Sequence, residues 1–239
     1  MSEAPMPESP MTPTSPPSFF QTWVDALTKP REETYAGIAA SPNAKAMTGY
    51  LWVFLTSIVS SLITLLVQGS TIRSQLGQAG LGEQQFGGGF GAVAVTLLCG
   101  TPIAAVLGAV FFAIFAAIVQ WIAKMFGGKG TNDQLAYTLA AISAPYALVS
   151  SVLILLSAIP FVGLCFSVLA ALGGIYAIVL AVMAVKAVNQ FDWLPAIGSY
   201  FIPGLVVFLV CCCLAAVLAT VTGAALGNVF STLNQSLIP

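Results

Sequence analysis

From Gln134 to Val185 the chain carries no charged residue, 52 positions in succession. Crossing the hydrocarbon core of a bilayer takes about 20 apolar residues in a helix, so this run holds two crossings. Gln84–Ala123 and everything after Asp192 are uncharged as well. Over the 239 residues, charged side chains make up 6% and hydrophobic ones 58%, whereas a soluble domain carries roughly a quarter charged residues. Such a composition cannot clothe a water-facing surface. Within lipid the backbone must satisfy its own polar groups, so the sequence predicts an all-α, polytopic integral membrane protein.

The same counts exclude several kinds of chemistry. Seven basic residues against eight acidic ones leave a net charge of −1. Nucleic acid is therefore not an expected partner, since phosphate binding needs clustered Lys and Arg. There is no histidine, and the five cysteines (Cys99, Cys165 and the run Cys211–Cys213) lie in apolar segments with no zinc spacing. No metal and no cofactor is expected. Intramembrane proteolysis would need histidine, paired aspartates or metal ligands within the spans, and the sequence offers none. The expectation is a non-enzymatic protein without catalytic residues.

Residues 1–17 are rich in Pro, Ser, Thr and Glu and read as a disordered tail, without the basic start and apolar core of a signal peptide. Ser18 opens a short helix with an apolar face of Phe19, Phe20, Trp23, Val24 and Leu27, suited to the headgroup layer or to a protein partner. Pro30 starts a second short helical piece, so residues 18–47 form cytoplasmic amphipathic segments. Ser41-Pro42 reads as the cap and first residue of the next helix. Five spans follow, over about 48–68, 102–124, 134–159, 161–187 and 202–222. Gly69–Gly91 reads as a flexible loop with a helical piece near Ile72–Leu81, and 90–99 as a half-helix or an extension of span two, separated by Gly100-Thr101-Pro102. Gly127–Thr131 departs from the phosphate-loop pattern, lacking its first glycine and its Ser/Thr after lysine, and reads as a tight, flexible turn. Pro145 predicts a kink in span three, with Ser143 or a neighbouring helix serving the freed carbonyl. Pro160 closes the hairpin to span four. Residues 223–239 form an uncharged amphipathic tail.

Span four has a further pattern. Gly163, Ser167, Ala170, Gly174, Ala177, Ala181 and Ala184 recur at alternating steps of four and three, which places them on one helical seam. In lipid, helices associate by close approach at small residues, so this seam is the expected packing face. Five spans put the termini on opposite sides. With the N-terminus in the cytoplasm, Lys29, Arg31, Lys45, Lys124, Lys129 and Lys186 lie inside and Arg73 alone outside, and Trp52, Trp121 and Trp193 fall at cytoplasmic ends. The expected architecture is a five-transmembrane-helix bundle with a cytoplasmic N-terminus and an extracytoplasmic C-terminus.

Several landmarks resemble the Yip1 family, its prokaryotic members in particular. They are Trp23 with Lys29–Tyr35 and Ile38; Gly127, Gly128, Lys129, Gly130 and Thr131 with Leu135; Ser143-Ala144-Pro145; Ile159-Pro160 through Gly163; and Ile175-Tyr176 through Lys186-Ala187. The resemblance covers about Phe19–Leu218, leaving the Pro-rich start and the C-terminal tail outside. It implies a five-helix membrane protein with a cytoplasmic N-terminus. Eukaryotic members associate with Rab-type GTPases and with each other in traffic between endoplasmic reticulum and Golgi. For this chain small-GTPase binding is only an analogy. The implied location is a multi-pass position in the prokaryotic plasma membrane, with an endoplasmic reticulum or Golgi membrane as the alternative.

The expected role is a membrane scaffold or adaptor in membrane organisation or trafficking. Its partners would be the lipid bilayer, other membrane proteins and copies of itself. The alternative is a transporter or channel for a neutral solute or lipid, because no ionisable residue marks the centre of any span while broken helices build transport sites.

Overall fold

The computed structural model describes residues 18–78, 100–157, 159, 162–206, 209 and 212–213, with side chains throughout except at 65–78. The chain forms α1 (Phe19–Thr28), α2 (Glu32–Ala39), α3 (Ala46–Gln78), α4 (Thr101–Met125), α5 (Asn132–Ser157) and α6 (Gly163–Asn189). A shorter apolar helix, α7 (Trp193–Val206), follows. No strand occurs among the described residues. Among the described residues four helices are long and apolar enough to cross a membrane: Ala46–Thr64 of α3, and α4, α5 and α6 in full. The disordered tail 1–17, the half-helix 90–99, Cys99, Pro160, Cys211 and the C-terminal tail 223–239 lie outside the described residues, as does most of the expected fifth span. The described part of that span lies largely within α7, which begins nine residues before the expected boundary at 202.

The helix ends are tied together at one end of the bundle. The amide of Ala46, opening α3, donates to Asp133 Oδ1 of α5 at 3.3 Å. The amide of Lys129, between α4 and α5, donates to the carbonyl of Asn189, closing α6, at 3.1 Å. The starts of α3 and α5 therefore meet the ends of α4 and α6, and the four long helices alternate in direction. α7 leaves the same end and runs beside α4, where Tyr200 meets Phe115 edge-on at 5.5 Å between ring centres.

Two boundaries differ from the sequence reading for physical reasons. Ser41-Pro42 does not start α3. The Ser41 hydroxyl accepts from Asn43 in a turn, and the helix begins at Ala46, where a carboxylate remote in sequence satisfies a free amide. At its other end α3 continues through Gly69 to Gln78, absorbing part of the expected loop. Gly100 precedes α4 with right-handed helical angles (φ −70°, ψ −44°), and the residues before it lie outside the described ones. Pro102 sits in the first turn of α4, where its missing N–H costs nothing.

α5 is the central helix. Every residue from Leu135 to Ile142 is buried, since α1, α2, α3, α4 and α6 all pack on it. The most extensive contact is with α3, and Gly49 makes the close approach there. A Cβ on Gly49 would stand 3.0 Å from the Ala136 carbonyl oxygen and 3.0 Å from the Ala140 Cβ. Pro145 lies inside the unbroken run of α5. The Ser143 hydroxyl, expected to serve the carbonyl freed there, is buried without a hydrogen-bond partner, so that task does not fall to it.

Gly49→Val should lower stability by about 1–3 kcal/mol, because backbone stands where the new methyls would go. Gly37→Ala is the opposite case: the position lies within α2 and nothing is within 4 Å of its added Cβ. That change should stabilise by about 0.5–1 kcal/mol. Thermal unfolding in detergent, followed by tryptophan fluorescence, should move the midpoint down for the first and up for the second.

Candidate functional site

The turn between α4 and α5 is tight, and it is held in place by packing. Gly127 adopts φ +86°, in the left-handed region open to glycine. A Cβ on Gly128 would come within 2.6 Å of Asn189 Oδ1, and one on Gly130 within 2.6 Å of a Val188 methyl. The turn therefore lies on the closing residues of α6. Thr131 then starts α5 with a reciprocal cap: its amide donates to Gln134 Oε1 at 3.0 Å, and the Gln134 amide donates to Thr131 Oγ1 at 3.3 Å.

Asn189 is the hub of this packing and is fully buried. Its Nδ2 donates to the Val185 carbonyl at 3.0 Å, its Oδ1 accepts from Gln120 Nε2 at 2.9 Å, and its backbone carbonyl accepts from Lys129. Gln120 Nε2 also donates to the Gly130 carbonyl at 2.6 Å. One amide from α4 and one from α6 thus clamp the turn between them, and Gln190 ends α6 in a left-handed conformation (φ 55°). Neither amide was singled out from the sequence. Gln120 did leave a signal, as a polar side chain within an apolar span, where such groups bond across helices.

The second part of the site is the α1–α2 pair, docked along α6. Tyr35 is buried and its hydroxyl donates to the Ala26 carbonyl at 2.8 Å, joining α2 to α1. Burial, and secondarily the Tyr176 phenol nearby, pushes the Tyr35 hydroxyl above its ordinary range, so it remains a neutral donor. Tyr176 Oη donates to the Leu27 carbonyl at 2.7 Å. Tyr176 precedes the end of α6 by 13 residues, about 20 Å along the axis, so the α1–α2 connection lies well along the flank of that helix. Lys186 Nζ pairs with Glu32 Oε1 and lies 4.6 Å from the centre of the Trp193 ring. Its side chain is only 16% exposed, which makes this the least solvated ion pair described.

α1 meets the bundle through residues that the sequence reading did not single out, together with Trp23 and Leu27 from one edge of its apolar face. Thr22 and Ala26 are buried, and Trp23 meets Trp52 edge-on at 5.6 Å, which in turn packs on Tyr137 at 4.8 Å. Phe19 and Phe20, from the apolar face read in the sequence, remain 60% and 63% exposed.

The seam residues are distributed along α6. Ala181 and Ala184 are buried, Gly163, Ala170, Gly174 and Ala177 are half-buried, and Ser167 is exposed with its hydroxyl returned to the Gly163 carbonyl at 2.9 Å. A Cβ on Gly174 would stand 3.2 Å from Tyr146 Oη of α5. Gly163 lies against the Ser157 carbonyl at the α5–α6 turn. Of the motif residues, Gly127, Gly128, Lys129 and Gly130 form the clamped turn, Tyr176 holds α1, and Pro145 is buried in α5. Cys165, Cys212 and Cys213 are free and exposed. Among the described residues no group of three His, Cys, Asp or Glu side chains could hold a metal ion.

Gly130→Val should shift the turn and cost about 1–3 kcal/mol, as should Asn189→Ala, which leaves Gln120 without its partner. Lys129→Ala should stay within about 0.5 kcal/mol, since its exposed side chain is not used and only its amide is bonded. The first two should lower the thermal midpoint by several degrees and speed proteolysis at the turn; the third should do neither.

Neither a curated protein nor a solved structure matches the chain. A family comparison does: the Yip1 domain matches residues 24–232, reaching further into the C-terminal tail than the motifs alone suggested. With that match spanning most of its length, the chain belongs to the Yip1 family.

Proposed function

We propose that this Yip1-family membrane protein is a non-enzymatic scaffold or adaptor, with five spans, a cytoplasmic N-terminus and an extracytoplasmic C-terminus. The observation that carries this reading is the docked α1–α2 pair. The Tyr35 hydroxyl joins α2 to α1, and the Tyr176 hydroxyl, an ion pair and an edge-on aromatic contact secure the pair to the bundle, so the N-terminal segments form a fixed surface along the flank of α6, starting near the end where the α4–α5 turn lies. Its outward side carries Phe19, Phe20, Lys29 and Arg31, all exposed, a mixture suited to protein or headgroup contacts. The lack of histidine and of charge in the central parts of the spans supports a role without catalysis. The plasma membrane of a prokaryote is the proposed location.

The seam of α6 is the proposed contact between span four and its neighbours, including second copies of the chain. Gly174→Leu should weaken that association while insertion is kept, because a leucine would have to displace Tyr146. Cysteine pairs along Ser167–Ala181 should cross-link less in the mutant; unchanged cross-links would remove the seam from the proposal. A phosphatase reporter after Pro239 should be active only outside the cytoplasm. Purification from native membranes should recover membrane-protein partners or homo-oligomers, and liposomes holding the protein should show no solute flux. Robust flux without any partner would favour the transporter instead.

A further inference from the structure

Away from the clamped turn, α3 and α4 part around a cavity of about 440 Å3. Ser57, Ser60, Ser61 and Thr64 of α3 line it, facing Gly100 and Thr101 of α4. The four α3 residues follow the spacing i, i+3, i+4, i+7, one face of a helix, so a span that is otherwise apolar turns a row of hydroxyls inward. Ser57 and Thr64 come 11 and 18 residues after Ala46, about 17 and 27 Å along the axis. The cavity therefore belongs to the half of the apolar layer remote from the α4–α5 turn.

The hydroxyls are unequally occupied. Thr64 Oγ1 returns to the Ser60 carbonyl of its own helix at 2.9 Å. Ser60 Oγ reaches the Ala147 carbonyl of α5 at 3.4 Å, a long bond. Ser57 and Ser61 make no hydrogen bond among the described residues. A hydroxyl left unpaired away from water is costly, and a polar cavity of this size takes a polar occupant whereas an apolar one stays dry. Among the described residues no charged side chain lines it, so none of them would offset the desolvation of a charged ligand. The surface of α4 beside it carries exposed Ile103 and Leu107. Hydroxyls within and an apolar flank outside match an amphiphile with a neutral, hydroxyl-bearing head.

From this arrangement we infer that the α3–α4 cavity binds the hydroxylated headgroup of an uncharged lipid, such as the glycerol of a diacylglycerol. Ser57 and Ser61 bond the head, and the tails lie along the apolar flank of α4. At about 30 Å3 per water the volume holds a glycerol or single-sugar head with the first carbons of its tails. This site is separate from the contacts invoked for the scaffold and stands without them.

The test uses the full chain in phosphatidylcholine nanodiscs with a diacylglycerol carrying a photoreactive diazirine in one tail. Labelled peptides should map to 55–64 and 100–107, and unlabelled dioctanoylglycerol should compete. Equal concentrations of dioctanoyl phosphatidic acid or free glycerol should not. Ser57→Ala with Ser61→Ala should weaken labelling at least about tenfold, from the loss of two hydrogen bonds. Ala104→Phe, which keeps every hydroxyl and fills the space, should abolish it while the thermal midpoint shows a folded protein. Labelling elsewhere, labelling unchanged in either variant, or equal competition by phosphatidic acid or glycerol would overturn the assignment.

Discussion

A hydrogen bond left open inside an apolar layer has no water to close it. That constraint decides where this chain places its few polar groups. The ends of four long helices meet at one level, and their free amides and carbonyls are answered across the bundle. Asp133 serves the first amide of α3, Asn189 receives the amide of Lys129, and Gln120 holds both Asn189 and Gly130. A water-soluble helix could leave such groups to solvent. Here these four bonds cross to another helix or turn and keep the helix ends in register, with Gln120 Oε1 alone of their atoms left buried without a partner.

Along the helices the adhesion is of a different kind. Apolar side chains gain little by leaving lipid for protein, so burial of leucine and valine does not drive association as it does in water. What remains is dispersion at close range, available where backbones approach. Gly49 against Ala136 and Ala140 is the tightest such approach between α3 and α5. α6 shows the same logic by halves. From Leu180 onward it is buried among α2 and α5, and before that point its large residues stand exposed. The changeover follows the docking of α1 and α2, which cover only the stretch from Tyr176 to Lys186.

The long helices were legible because their signals are local. Gaps in charge, a length of about 20 apolar residues and punctuation by Pro and Gly bracket α4, α5 and α6 to within two or three residues. What escaped depended on partners far away in sequence. Ser41-Pro42 has every local mark of a helix start, yet α3 begins where Asp133 supplies the cap. The glycines of the 127–130 turn looked like flexibility; their value lies in the space that Val188 and Asn189 occupy, 58 and more residues downstream. The apolar face of α1 was read for the headgroup layer or a partner, and nothing local marked Thr22 and Ala26 as the residues that dock; their burial goes with Trp23 meeting Trp52, which packs on Tyr137. Of the candidate site, Tyr176 and the glycine turn were marked as motifs without a role, and only their partners reveal one.

Exposure carries a different meaning in such a protein, and this bears on where function can be sought. Leu164, Leu172 and Ile175 are more than half exposed, which in water would mark a docking surface. In a bilayer they are already solvated, so their exposure argues for nothing beyond lipid. The informative departures are polar ones: hydroxyls facing a void in an apolar layer, a lysine kept in a half-solvated pair, amides buried at helix ends. Two of these are answered by the protein itself, Asn189 by Val185, Gln120 and Lys129 and Lys186 by Glu32 and Trp193. The hydroxyl row of α3 is only partly answered. That asymmetry is why the helix ends are read as structure and the α3–α4 cavity as a place for something else.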